Sequence, residues 1–161
     1  QNMVSPPPLF IGRFQPFHLG HLDVVKQILA EHPAIIIGVG SSQYSATPEN
    51  PFSAALRRQM IEKSMQEARV PNERFSIFDV PDIHNSEAWV AHVEKLLPPF
   101  SEVWSGTKLV QELFQKDGKH LIIQPKFNLN ISGTNIRNLI EKEDSSWWRM
   151  VPSSVARLIK T

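Results

Sequence analysis

Short apolar runs alternate with longer segments of helical periodicity along the chain. The runs cover residues 9–11, 34–39, 74–80, 102–105 and 121–123, and each has the length of a strand. Between them, apolar side chains recur every three to four residues, which predicts helices. The run at 34–39 carries no polar side chain, as expected of a central strand covered on both faces. This alternation predicts an α/β fold built on a doubly wound, parallel, five-stranded sheet.

The loop after the first apolar run carries a dense group of polar side chains. Gly12 ends the run, and the helical pattern begins at His21. In open α/β sheets, ligands bind beyond the carboxyl ends of the strands, and phosphates favour helix N-termini. The loop places Arg13, Gln15, His18 and His21 at such a point, with the two histidines on one face of the first turn. An imidazole can donate to a phosphoryl oxygen and an arginine adds a fixed charge, so phosphoryl or nucleotidyl transfer is predicted.

Two other interpretations of the histidine pair carry less weight. A metal site is disfavoured because the chain has no Cys, the spacing is not that of His-Glu-x-x-His, and no third ligand is evident. Simple solvated loop histidines are disfavoured because Gly, Arg, Gln and Pro surround the pair.

Residues 131–137 (ISGTNIR) form a second candidate anion site. Ser132 and Thr134 can cap a helix that starts here and leave its first N–H groups free. Arg137 follows Thr134 by three residues and lies on the same face of the first turn. Amide donors, hydroxyls and a guanidinium together suit a phosphate. Taken alone, the pattern also fits an ordinary capped helix with an exposed arginine.

Composition narrows the possible classes of protein. The 161 residues predict one domain, spanning 1–161, and the formal net charge of +1 has mixed signs without a basic tract, so no nucleic-acid partner is indicated. Arg57 and Arg58 are expected to be a solvated helix face or a phosphate contact. The absence of Cys excludes disulfides and thiolate metal sites. No run reaches the ~18 apolar residues of a membrane span, and no signal peptide is visible, so a cytoplasmic protein is expected, with Met3 as its native start.

The motifs resemble one known family. His-x-Gly-His after a first strand is similar to the nucleotidyltransferase superfamily, and the longer string at 12–21 (GRFQPFHLGH) resembles the archaeal-type nicotinamide-nucleotide adenylyltransferases. The string ISGTNIR resembles the Ser-x-Thr-x-Ile-Arg signature of the same superfamily. Further similarity at 50–52, 97–100, 105–106 and 151–152 extends the resemblance over nearly the whole chain. It implies a Rossmann-like nucleotidyltransferase fold.

The resemblance also implies an activity and a set of site residues. The chain would transfer the adenylyl group of ATP to nicotinamide mononucleotide (NMN), forming NAD and pyrophosphate by direct in-line attack. Mg²⁺ would ride on the ATP phosphates without protein ligands, and the protein would be a homo-oligomer, a hexamer or another form. The implied catalytic residues are His18, His21, Arg13 and Arg137. The implied ATP-binding residues are Gly12, Phe14, Gln15, Gly106, Ser132, Gly133, Thr134 and Ile136. The implied acceptor-binding residues are Trp89, which would stack on the nicotinamide, and Asn85, Ser86, Gly40 and Ser41.

Several departures from the family pattern fall on the acceptor side. Ser86 stands where the family has an Asn three residues before the Trp, and Asn85 lies one residue earlier. Thr107 replaces an Asn, and Ala46 in the second loop replaces a His. Two alternatives therefore stay open: an adenylyl- or cytidylyltransferase acting on another phosphorylated acceptor, such as pantetheine phosphate or another mononucleotide, and a nucleotide sensor without turnover. Trp89 itself could instead be a core residue of its helix.

Overall fold

The computed structural model describes residues 5–160, so the interpretation of Met3 as the native start lies outside the described residues. The strands are β1 (Leu9–Gly12), β2 (Ile35–Gly40), β3 (Phe75–Val80), β4 (Val103–Trp104) and β5 (Ile122–Ile123). The helices are α1 (Leu19–Glu31), α2 (Ala54–Glu67), α3 (Ser86–Leu96), α4 (Lys108–Asp117), α5 (Gly133–Glu141) and α6 (Ser153–Lys160). Two short 3₁₀ turns, Asn72–Arg74 and Ser145–Met150, were not expected from the sequence. None of the described helices is long and apolar enough to cross a bilayer.

The sheet confirms the predicted parallel, five-stranded α/β architecture. Its strand order is β3-β2-β1-β4-β5, and every neighbouring pair is parallel. Leu9 of β1 pairs with Ile36 on one side and with Val103 on the other. The order therefore reverses between β1 and β4, and the loops that leave these two strands diverge. Such a switch point opens a crevice at the carboxyl ends of the strands, where ligands bind in open α/β sheets.

Alternating strand residues divide the core into two apolar layers. Phe10 and Ile37 pack into a layer that includes Val25 of α1 and Met60 of α2. Their neighbours Leu9, Ile11 and Ile36 point the other way, into a layer completed by α3 and α4. Both faces of the central strands are thus covered, which explains why β1 and β2 are apolar at successive positions.

Arg57 corrects one prediction from the sequence. It was expected to be solvated or to contact phosphate, but its side chain is completely buried. The guanidinium donates to the carbonyl oxygens of Arg13 (2.8 Å), Gly40 (2.8 Å), Ser41 (3.2 Å) and Tyr44 (3.4 Å). These carbonyls lie where the chain leaves β1 and β2, so the sheet ladder no longer satisfies them. Arg57 is therefore a structural residue that holds the two loops bordering the crevice.

Candidate functional site

His18 and His21 form a reciprocal cap at the start of α1. The N–H of His21 donates to Nδ1 of His18 (3.3 Å), and the N–H of His18 donates to Nδ1 of His21 (3.1 Å). A ring nitrogen that accepts a hydrogen bond carries no proton, so each neutral ring holds its proton on Nε2. Each side chain consequently presents an Nε2–H donor, and protonation of either Nδ1 would break the cap.

The two imidazoles are stacked, with the His18 side chain buried and His21 partly exposed to the site. Their ring centroids are 3.6 Å apart, and the His21 ring also lies edge-on to Phe14 at 4.8 Å. A Cβ at Gly20 would come within 2.8 Å of the His18 ring, so the glycine of the His-x-Gly-His motif makes room for that ring. The spacing of the motif thus reflects packing of the pair as well as its chemistry.

Burial favours the uncharged form of both rings. It lowers the pKa of the His18 imidazole from 6.5 to about 4. Burial, and to a lesser degree the charge of His18, hold the pKa of His21 well below its ordinary value. The site therefore offers neutral hydrogen-bond donors near pH 7 rather than a pair of cations.

A cavity of about 420 Å³ opens in front of the pair; we call it the histidine cavity. The start of α5 forms its opposite wall, where Ser132 caps the helix by accepting from the N–H of Asn135 (3.1 Å). The N–H groups of Gly133 and Thr134 precede the first intrahelical bond and are available to a ligand. The residues that line the rest of the histidine cavity include Gly12, Arg13, Phe14, Gln15, His18, His21, Gly106, Thr107, Phe127 and Arg137.

Arg137 joins the two candidate anion sites. Its guanidinium donates to the carbonyl oxygen of Gln15 (2.8 Å) and to the hydroxyl of Thr134 (3.2 Å). Burial lowers the pKa of the Arg137 guanidinium, and the nearby charge of Arg13 lowers it further, although a guanidinium stays protonated at ordinary pH. Two of its donors thus fix its position across the loop, and the remaining N–H groups can bind an anion.

Three residues implied as ATP-binding have other primary roles. The Gln15 side chain is 3% exposed and forms two hydrogen bonds with the backbone of Phe52, at 2.9 and 3.0 Å, so it fastens the first loop to the segment before α2. The Phe14 ring is 1% exposed and supports His21 from the core. Ile136 is not among the residues that line the histidine cavity, because its side chain is buried, and its N–H bonds to the carbonyl of Ser132. Gln15 and Phe14 do line this cavity, and their contact with ATP stays a prediction.

Phe127 is a residue that the sequence analysis missed. Its ring lies against Gly106, where an added Cβ would be 2.6 Å from the ring edge. Helix α1 holds the loop on both sides of this ring, through a hydrogen bond from Gln27 to the carbonyl of Lys126 (2.8 Å) and one from Asn128 to a carboxylate of α1 (3.1 Å). The ring is half exposed at the cavity wall, which suits a flat apolar ligand group.

A second cavity, of about 500 Å³, lies on the other side of the first loop; we call it the tryptophan cavity. Trp89 is half-buried in its wall and packs T-shaped against Phe114, with the ring centroids 5.6 Å apart, so it is not enclosed in the core. Asn85 caps α3 by accepting from the N–H of Ala88 (3.3 Å), which leaves its amide N–H groups for a ligand. All five residues implied for the acceptor border this cavity: Gly40, Ser41, Asn85, Ser86 and Trp89.

The two cavities meet at the switch point of the sheet. Ile11, Gly12, Arg13 and Thr107 border both of them. Arg13, anchored at 3.4 Å on Asn50, is the shared cation. Two anionic groups, one from each cavity, can therefore meet beside Arg13 and the histidine pair.

Comparison with curated proteins finds archaeal relatives named nicotinamide-nucleotide adenylyltransferase. That of Thermococcus sibiricus is 39% identical over 153 residues, which cover 94% of this chain and 82% of that protein. That of Archaeoglobus fulgidus is 41% identical, with 94% and 88% covered. The cytidylyltransferase-like family model matches residues 9–139. This chain belongs to the archaeal-type nicotinamide-nucleotide adenylyltransferase family.

Solved structures show the same adenylyltransferase fold. A bifunctional NMN adenylyltransferase/ADP ribose pyrophosphatase from Francisella tularensis superposes with a TM-score of 0.78 at 24% identity, covering 98% of this chain and 49% of that one. This chain thus spans about half the length of that protein. A further structure of the Francisella protein is described as a complex with AMP and a manganese ion, and it matches with the same TM-score.

Proposed function

We propose that this chain transfers the adenylyl group of ATP to NMN, forming NAD and pyrophosphate. An oxygen of the acceptor phosphate would attack the α-phosphorus, and the bond from that phosphorus to the β-bridging oxygen would break as pyrophosphate leaves. The meeting of the two cavities beside the neutral histidine pair carries this proposal. Both cavities lie along one edge of a single sheet, which supports one nucleotidyltransferase domain as the working unit.

ATP fits the histidine cavity. The Nε2–H groups of His18 and His21 would donate to the α-phosphoryl oxygens, whose charge grows in the transition state. The amides at the start of α5 and the Arg137 guanidinium would hold the β- and γ-phosphates. Phe127 and Gly106 would bound the adenine, since a glycine leaves room for a ring to lie flat on the backbone.

NMN fits the tryptophan cavity. The nicotinamide ring would stack on Trp89, and the amide N–H groups of Asn85 would reach its carboxamide. Arg13 would hold the acceptor phosphate at the junction of the cavities. Asn85 keeps its cap on α3 in this arrangement, so the shift of the family Asn by one residue does not remove the donor from the cavity.

A divalent ion, Mg²⁺ in the cell, would enter with ATP. No group of three or more His, Asp or Glu side chains within residues 5–160 could hold a metal ion, and the described lining of the histidine cavity includes no carboxylate. Mg²⁺ commonly keeps several waters and binds through substrate phosphates, so this lining fits an ion carried by ATP. When bound, it would neutralise charge on the leaving pyrophosphate.

A turnover assay with single acceptors tests the proposal. The protein is incubated with ATP, Mg²⁺ and either NMN, its acid analogue or pantetheine phosphate, and pyrophosphate and dinucleotide are measured. We expect NAD from NMN. His21→Ala should lower kcat about 10²–10³-fold and leave the Kd for ATP within a few-fold, because one transition-state donor is lost. His32→Ala, at the far end of α1 beside Glu102, is the matched control and should retain activity. The proposal would be refuted if only pantetheine phosphate were turned over, or if none of the three acceptors were.

A further inference from the structure

Asp82 is the carboxylate among the described residues that line the tryptophan cavity. It lies in the loop between β3 and α3. The hydroxyl of Ser41 donates to its Oδ2 at 2.8 Å. The Gln43 side chain holds the Asp82 backbone on both sides, donating to its carbonyl oxygen (2.9 Å) and accepting from its N–H (3.0 Å). Three hydrogen bonds from the loop after β2 therefore fix this carboxylate at the cavity wall.

The charges around this cavity are separated. Arg13 lies at the junction with the histidine cavity, whereas Asp82 and Trp89 border the tryptophan cavity alone. A ligand that fills the cavity thus meets a cation at the junction and a carboxylate with an aromatic face beyond it. This arrangement complements a molecule with a phosphate at one end and a positive flat ring at the other.

The acceptor of the proposed function has this distribution of charge. The nicotinamide ring of NMN is a pyridinium with a charge of +1. In the acid analogue a carboxylate on the ring cancels that charge and adds a negative edge. In the reduced form of NMN the ring is a neutral dihydropyridine, although the carboxamide is unchanged. The three molecules therefore test ring charge separately from carboxamide recognition.

We propose that Asp82 determines acceptor specificity by selecting the positively charged ring of NMN over the acid and the reduced mononucleotide. The inference rests on the proposed function and extends it from a reaction to a choice among acceptors. Asp82 acts through its charge, while Ser41 and Gln43 keep the carboxylate in position. Asn85 and the carboxamide supply a separate contact that does not depend on ring charge.

The test compares kcat/KM for the three mononucleotides in the parent and in Asp82→Asn. Asn keeps the shape and can still accept from Ser41, while the hydrogen bonds of Gln43 go to the backbone. We expect the preference for NMN over reduced NMN to fall by at least about tenfold, as for loss of one partly screened charge pair. The preference for NMN over the acid should fall further, because a repulsion is also removed. The KM for ATP should stay within twofold.

Asp79→Asn is the matched control, since it removes the same charge from β3 at a residue paired with Arg58 on the surface. It should leave both preferences unchanged. Asp82→Glu, which moves the carboxylate but keeps its charge, should retain most of the preference for NMN over reduced NMN. An equal loss of kcat/KM for all three acceptors in Asp82→Asn would mean that Asp82 only supports the loop. That result would overturn this inference and leave the proposed function standing. A parent that does not use NMN at all would overturn the proposed function as well.

Discussion

Removing the Arg57 guanidinium tests how the two cavities are held together. In Arg57→Met, a side chain of similar length fills the space but donates no hydrogen bond. The carbonyls of Arg13, Gly40, Ser41 and Tyr44 then lose a charged donor in a buried position. We expect lower stability and weaker binding of both substrates, because these carbonyls belong to the loops that border both cavities.

The magnitude follows from these four bonds and a fifth, from Nε of Arg57 to the carbonyl of Ser53 (3.3 Å). A hydrogen bond to a charged group contributes about 1.5–3 kcal/mol, but the loops can relax and admit water, so the five do not add. We expect about 3–5 kcal/mol of lost unfolding free energy, the usual cost of breaking a buried charged network by removing one partner. For a domain of this size that corresponds to a fall in Tm of about 6–20 °C.

The neighbouring arginine provides a matched control. Arg58 is half exposed and donates to the carbonyl of Ile77 (3.1 Å) and to Asp79 (3.4 Å) on the surface. Arg58→Met should therefore cost about 1 kcal/mol or less. Urea denaturation of both variants gives the free energies, and titration calorimetry gives the Kd for each substrate. Similar losses in the two variants would refute the structural role of Arg57.

Three further predictions concern the cavities. The folded pKa of His18 lies below the unfolded value of 6.5, so the unfolded state binds more protons at acid pH and stability falls as the pH drops from about 6.5 towards 4, by about 2–3 kcal/mol from this group. His18→Asn, which can still cap α1 but cannot titrate, should show a smaller loss in urea denaturation at pH 4.5 against pH 7.5; equal losses would contradict the assigned protonation state. Gly106→Ala should raise the KM for ATP at least several-fold in steady-state assays and leave the KM for the acceptor nearly unchanged, because the Cβ of the alanine would displace the Phe127 ring. Trp89→Ala should weaken acceptor binding by about 1–3 kcal/mol in calorimetry and lower stability less than a core Trp would; a stability loss of about 3–5 kcal/mol with unchanged acceptor affinity would identify a core residue.

Local features of the sequence predicted the elements that carry the site. The apolar run at Leu9, the cap residue Ser132 and the histidine spacing each act within a few residues, and the structure places the corresponding elements within two residues of the predicted positions. Periodicity works for the same reason, since one face of a helix is defined by neighbours three and four positions away. The role of Asp82 at the cavity could also have been predicted from the sequence. Asp82 follows β3 at the carboxyl edge of the sheet, where parallel strands bring their loops together.

The tertiary structure decided which polar groups are structural and which face a ligand. Arg57, Gln15 and Asp82 all bond to loops far away in sequence, and Phe127 lies on Gly106 across the crevice. These partners depend on the strand order β3-β2-β1-β4-β5, which brings the loops after β1, β2, β3 and β4 to one edge of the sheet. Amino-acid type alone cannot separate a buried arginine from a phosphate-binding one, because both offer the same donors. The difference arises from the carbonyls that the folded loops leave unpaired around Arg57 and from the open cavity beside Arg13 and Arg137.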